Sequence, residues 1–233
     1  MFEAIDTLGD VVARFPVAGT IFKDHKIDYC CHGQRTLEEA ASEQGLSTDS
    51  LLSTLNTAYD KAIEEGHKEH DWYTESYSTM IEYILTNHHA YLQKTMPVLG
   101  ELTAKILRVH GEHHGEELRQ VHRLFNTFKM DMEAHLIKEE ESVFPQIVAF
   151  EKTGDRDALV EALKKIAELE SEHEAAGDLL RQINLVTANY AVPEDGCATY
   201  LYTYEKLEQV EEDTFRHVHL ENNILFPRLR EQL

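Results

Sequence analysis

The sequence predicts an all-α protein, a small helical module followed by an up-down-up-down four-helix bundle. Three observations predict it. Apolar residues recur at three- and four-residue spacing through most of the chain from about residue 75. Strand-like alternation is almost absent. The breaks between the long periodic stretches are short, at 111–115, 153–155 and 192–196, and short breaks make successive helices antiparallel neighbours.

Taken in order, residues 1–66 read as the small module. Pro16, Gly19 and Gly33 punctuate its first half. Thr36 with Glu39 is a capping box opening a short helix that Gly45 is placed to end. Ser47 and Thr48 can cap the next helix, whose apolar positions are Leu51, Leu52, Leu55 and Ala58. A polar stretch sets a linker at 67–74, and residues 75–233 form the bundle. Its helices are expected at 75–109, 115–150, 156–188 and 197–230, with Pro97 kinking the first.

Composition narrows the function. The chain has 233 residues, with 22 Lys+Arg against 43 Asp+Glu and a formal net charge of −21. Nucleic acid and anionic membranes both need Lys/Arg, so neither is an expected partner. Residues 1–70 alone hold 6 basic and 13 acidic residues, a poor fit to a DNA-reading helix pair. No apolar run approaches the roughly 18 residues of a spanning helix. The start lacks the basic and apolar regions of a signal peptide. Three Cys, two of them adjacent, make no disulfide framework, and a reducing cytoplasm is the simplest location. The 14 His, beside so many carboxylates, are raw material for a transition-metal site.

A repeat organises that material. His135, Glu139, Phe144 and Pro145 stand at offsets 0, 4, 9 and 10, and His217, Glu221, Phe226 and Pro227 repeat the pattern. One His-x-x-x-Glu is ordinarily an exposed helix pair. Two copies sharing Phe-Pro, on the second and fourth helices, are far more specific. Met132, Phe128 and Leu124 precede His135 on its face, and Thr214, Val210 and Leu207 precede His217, so each pair interrupts an apolar seam. A buried carboxylate needs a positive partner, and no Lys or Arg lies on these stripes, which points to a metal. On the third helix, His173 sits between Leu169 and Ala176 on a similar stripe. On the first, His88 and His89 compete, and periodicity does not separate them. Four His and two Glu are too many for one ion. If both carboxylates bridge, each of two ions receives two imidazole nitrogens and two carboxylate oxygens. An oxo or hydroxo bridge makes five and leaves one position open, a set suited to iron, with manganese as the alternative, rather than to tetrahedral zinc.

These motifs resemble hemerythrin-like domains. Asp28, Tyr29, Cys30, Cys31, His32 and Gly33 in a row resemble the signature of the iron–sulfur cluster repair di-iron family (RIC, ScdA/YtfE type), in which a short N-terminal domain precedes a hemerythrin-like bundle. The segments from Glu170 to Gly177 and from His217 to Pro227 are similar to that family's, so the likeness covers essentially the whole chain. The family's first-helix histidine lies eight positions before a proline, which selects His89 ahead of Pro97. The resemblance implies two non-haem irons held by His89, His135, Glu139, His173, His217 and Glu221, with Glu139 and Glu221 bridging. It implies repair of iron–sulfur clusters damaged by nitric oxide or peroxide, through iron donation or through handling nitric oxide. The partners it implies are damaged iron–sulfur proteins or an assembly scaffold, nitric oxide or oxygen as small ligand, and an electron donor if the centre reduces nitric oxide. A homodimer fits as well.

Other residues extend the pattern. His110, His113 and His114 cluster at the first break and, like Glu172 beside His173, are candidates for groups behind the ligands or for an iron path. His219 lies inside the second copy of the repeat. Cys30 and Cys31 are too close along the chain for an unstrained disulfide and read as a thiol pair that passes iron or electrons, with Tyr29 and His32 tuning its thiolate character. Cys197, alone at a helix start, reads as structural. The competing functions are an oxygen- or nitric-oxide-binding or sensing hemerythrin-like protein and a di-iron nitric oxide reductase. The cysteine pair favours repair, because reversible oxygen carriage needs no thiols.

Overall fold

The structure is a computed structural model and describes residues 1–66 and 70–233. Among these residues there is no strand, only one isolated antiparallel bridge between Thr7 and Thr36. No helix is long and apolar enough to cross a membrane. The chain divides into two compact units. One comprises residues 1–80 with 215–233, the other residues 81–214.

In the first unit, the short helices α1 (Leu8–Arg14), α2 (Ala18–Asp24) and α3 (Leu37–Glu43) precede α4 (Thr48–Glu64). The expected capping box is present: the Thr36 side chain accepts from the Glu39 N–H, and Glu39 accepts from that of Thr36. Gly45, at φ 67°, ends α3, and Ser47 caps α4 through the Ser50 N–H. Phe2, Leu8, Phe15, Phe22, Leu37 and Leu55 are buried within this unit. The C-terminal residues belong to the same packing. The Arg228 guanidinium donates to the carbonyls of Trp72 (2.8 Å) and Glu75 (2.6 Å), and the Tyr77 hydroxyl donates to the Arg228 carbonyl. Of the linker expected at 67–74, residues 67–69 lie outside the described residues.

The second unit is a helical hairpin with two further helices. After α5 (Tyr77–Tyr83), a π-helical turn (Ile84–His89) leads into α6 (Ala90–Lys138). The break expected at 111–115 narrows to one residue: His114, at φ −119° and ψ 19°, turns the chain back. Thr103 then faces His122, and His89 faces Glu140, as antiparallel arms require. Pro97 lies inside α6 with helical dihedrals, the only non-helical ones there being those of His114. A second π-turn (Glu139–Val143) joins α6 to α7 (Phe144–Thr153). Gly154 is left-handed at φ 70°, and Asp155 caps α8 (Arg156–Val186). α8 runs antiparallel to the second arm, pairing His135 with Glu172 and Lys138 with Glu168. α9 (Ala198–Leu220) starts beside the hairpin turn, His110 meeting Cys197, and its residue Asp213 reaches His88 at the other end of the first arm. This is the up-down-up-down order. A third π-turn (Glu221–Leu225) and α10 (Phe226–Arg230) follow in the first unit.

Candidate metal centre

All three π-turns touch proposed ligands. One ends at His89, one begins at Glu139 and one begins at Glu221. The Phe-Pro of the repeat gives the local reason for two of them. Pro145 and Pro227 open the helices α7 and α10, and a proline has no N–H to give the preceding turn. The ladder widens instead: the N–H of Phe144 bonds the Glu139 carbonyl, and that of Phe226 bonds Glu221, each five residues back. The first π-turn has the same reach, Ala90 to Leu85, without a proline beside it. Periodicity assumes a uniform 3.6-residue helix, so these turns were invisible to it. The proline at offset 10 was their available signal.

Within the second unit, four of the predicted ligands converge. Glu139 is fully buried (0% exposed) and its two oxygens serve different histidines. Oε2 lies 3.3 Å from His89 Nε2. Oε1 lies 3.2 Å from His135 Nε2 and 3.8 Å from His173 Nε2. The Nε2 atoms of His135 and His173 are 2.9 Å apart. Phe144 stacks on His89 at 5.7 Å between ring centroids.

The outer nitrogens explain why these rings point inward. His135 Nδ1 is 2.9 Å from Glu172 Oε2, and His89 Nδ1 is 2.8 Å from Glu140 Oε1. A carboxylate on Nδ1 keeps the proton there and leaves the Nε2 lone pair facing Glu139. Lone pair then faces carboxylate at about hydrogen-bond distance, an arrangement a shared cation stabilises. Glu172 is held below the usual carboxylate range. Its partial burial works the other way, and hydrogen bonds from Lys138 and His135 outweigh it. Glu172 thus stands behind the His135 ring. Glu140 was missed: it follows Glu139 in sequence, and only the pairing of the two arms brings it to His89. His88 turns away, its Nδ1 3.0 Å from Asp213. The donor set of imidazoles around an oxygen ligand with two serviceable oxygens fits a pair of iron ions.

His110, His113 and His114 are not near this cluster. Helical rise puts His110 about 30 Å along α6 from His89. His110 Nε2 contacts Cys197 Sγ at 3.2 Å, His114 Nε2 contacts Asp195 at 2.8 Å, and His113 is exposed. Cys197, expected to be structural, is an exposed thiol, and the His110 hydrogen bond draws it down to about 7.

In the first unit, His217 and Glu221 are both buried, with Nε2 and Oε1 3.1 Å apart. The π-turn that follows carries Asn223, whose amide N–H donates to the carbonyls of Tyr29 (3.1 Å) and Cys30 (3.0 Å). The same amide lies 3.1 Å from His219 Nδ1. Burial pushes His219 down to about 3, so it is neutral. Gly33 lies so close that a Cβ there would run into the Asn223 side chain, which accounts for glycine at the end of the cysteine element. Cys30 and Cys31 are free thiols with Sγ atoms 3.6 Å apart. The expected tuning by Tyr29 and His32 is replaced. Cys30 is pushed well up by its hydrogen bond with Cys31, then by burial and by Asp28. The His32 ring engages Asp28, and the Tyr29 ring packs on Phe22, Phe215 and His219.

Comparison with known proteins agrees with this geometry. Residues 4–59 match the ScdA_N model, described as a domain of unknown function, and residues 80–229 match the hemerythrin HHE cation-binding domain. The iron-sulfur cluster repair protein ScdA of Staphylococcus epidermidis is 32% identical over 231 residues, 98% of this chain and 100% of the relative. The iron-sulfur cluster repair protein YtfE of an Enterobacter species is 32% identical over 221 residues, 95% of this chain and 94% of its own. A probable iron-sulfur cluster repair protein of Haemophilus influenzae is 32% identical over 229 residues, 98% of each chain. Matched along nearly its whole length, and carrying the histidines and glutamates of a non-haem di-iron centre, the chain belongs to the ScdA/YtfE family of iron–sulfur cluster repair proteins.

Proposed function

We propose that this chain is a di-iron protein that restores iron–sulfur clusters damaged by nitrosative or oxidative stress. The residues that would hold its irons are His89, His135, Glu139, His173, His217 and Glu221, with Glu139 and Glu221 as the carboxylates shared between them. One observation carries the ligand reading: the two oxygens of buried Glu139 face separate histidines, His89 on one side and His135 with His173 on the other. His217 and Glu221 repeat the His135/Glu139 motif, down to the π-turn and the proline. The repair reading is supported by the ScdA and YtfE relatives. Residues 1–66 and 75–233 act as its two functional parts, joined by 67–74.

When bound, the irons would supply redox chemistry and binding of a small ligand such as nitric oxide or oxygen. The protein's own contribution is orientation and exclusion of water. Glu172 and Glu140 keep protons on the outer nitrogens of His135 and His89, so both imidazoles present lone pairs inward. Met132, Leu136, Leu169 and Phe144 are buried around the seam and keep solvent from it.

The test is reactivation of an iron–sulfur enzyme inactivated with nitric oxide. Iron-loaded wild type should restore activity, and the Glu139→Leu, Glu221→Leu double variant should not. Reversible binding of oxygen or nitric oxide without any reactivation would replace repair by a sensing function.

A further inference from the structure

The cysteine element holds a set of donors that the histidine–glutamate ligands do not use. We propose that Asp28, Cys30 and Cys31 form a second cation site, for a single thiophilic or borderline divalent ion of the Fe(II), Zn(II) or Cd(II) class.

The donors are already gathered. One Asp28 carboxylate oxygen and the two sulfurs lie within 4.8 Å of one another. The sulfurs are 3.6 Å apart. Two thiolates at about 2.3 Å from a tetrahedral ion would be about 3.8 Å apart, so little movement is needed. The backbone is held in this form from several sides. Asp28 Oδ1 accepts the N–H groups of Cys30 and Cys31, both at 3.1 Å, and lies 3.3 Å from Cys30 Sγ. The Arg35 guanidinium donates to the Asp28 carbonyl at 2.6 Å, and Asn223 holds the Cys30 carbonyl at 3.0 Å.

The charge pattern points the same way. Arg35 spends its guanidinium on backbone carbonyls and on Glu43 rather than on sulfur. Hydrogen bonding to Cys31, burial and the Asp28 carboxylate therefore keep the Cys30 thiol protonated. A divalent cation reverses all of this by pairing with two thiolates and a carboxylate. Binding replaces two S–H bonds with two metal–sulfur bonds and releases two protons to solvent, with no change of oxidation state. Access is open on one side, because Cys31 is half-buried and His32 is exposed. His32, whose Nδ1 lies 3.1 Å from Asp28 Oδ2, stands ready as a fourth ligand. As a station for ferrous iron bound for a damaged cluster, the site rests on the repair reading above. The binding itself does not, and binding is what the experiment reads.

The experiment adds Cd(II), without oxygen, to the full-length iron-loaded protein. The expected result is one equivalent bound, with thiolate-to-cadmium charge-transfer absorption, two protons released and iron content unchanged. Cys31→Ser should abolish the two-thiolate signal, and the isosteric Asp28→Asn should weaken binding at least tenfold. Cys197→Ser should leave the signal intact. Retained iron and circular dichroism certify the fold of each variant. Should Cys30→Ser fail to fold, Cys31→Ser decides. A charge-transfer signal that survives Cys31→Ser, disappears with Cys197→Ser or appears only as iron is displaced would overturn the proposal. Failure of the reactivation assay with this site intact would count against repair alone.

Discussion

The α6 hairpin carries histidines at both ends, and they behave oppositely. Near Glu139, the imidazoles of His89, His135 and His173 are buried and their Nε2 atoms turn to the same carboxylate. At the hairpin turn, His110 reaches a thiol, His114 reaches Asp195 and His113 lies open to solvent. Imidazoles stand at both ends. Convergence differs, and it comes from carboxylates behind the rings that aim two of them inward. A histidine cluster becomes a metal site when the outer nitrogens are tied back and the inner ones face an anion out of water.

The largest expected effect removes the anion. Replacing Glu139 and Glu221 together with Leu should take iron from about two per chain to almost none, read by metal analysis. The apo variant should unfold at equal or higher denaturant than wild-type apoprotein, because apolar groups replace buried charges. Retained iron would mean that bridging does not depend on these two residues.

Next in size is the separation of adjacent histidines. His89→Ala should cost at least half the iron and disturb the absorption spectrum, whereas His88→Ala should leave both near wild type. The reverse pattern would assign the ligand to the histidine held by Asp213.

Removing a tie-back carboxylate should do less. Glu172→Gln or Glu140→Gln should each weaken iron retention roughly 10- to 100-fold, measured by competition with a chelator. No effect would leave the rings oriented by packing alone.

The smallest effect on iron belongs to the hairpin turn. His110→Ala with His113→Ala and His114→Ala should leave iron content unchanged. It should also raise the Cys197 thiol from about 7 towards its ordinary range. Loss of the imidazole favours the protonated thiol, so alkylation of Cys197 at neutral pH should slow roughly tenfold. A drop in iron would bring that end of the hairpin into the metal site.

Much of this was legible in the residues. The helices expected at 156–188 and 197–230 match α8 and the run from α9 through α10 to within a few residues, because Asp155, Gly154 and Pro193 are local signals. The Thr36/Glu39 capping box was equally local. The reversal falls at His114, inside the break expected at 111–115, and Pro97 stays within helical dihedrals. The choice of His89 came from a family resemblance, and periodicity could not supply it. In the structure His89 Nε2 faces Glu139 at 3.3 Å, while His88 meets Asp213 across 125 positions.

By itself the sequence determined which elements form and which faces of them are apolar, because caps, breaks and helical periodicity act within a few residues. It also marked His135/Glu139 and His217/Glu221 as interruptions of those faces. The tertiary structure alone decided what stands behind each ring: Glu140 behind His89, Glu172 behind His135, Cys197 beside His110, Asn223 under the cysteine element. Those partners lie tens to nearly two hundred positions away in the chain. A hydrogen bond's reach of about 3 Å selects them only after the helices have packed.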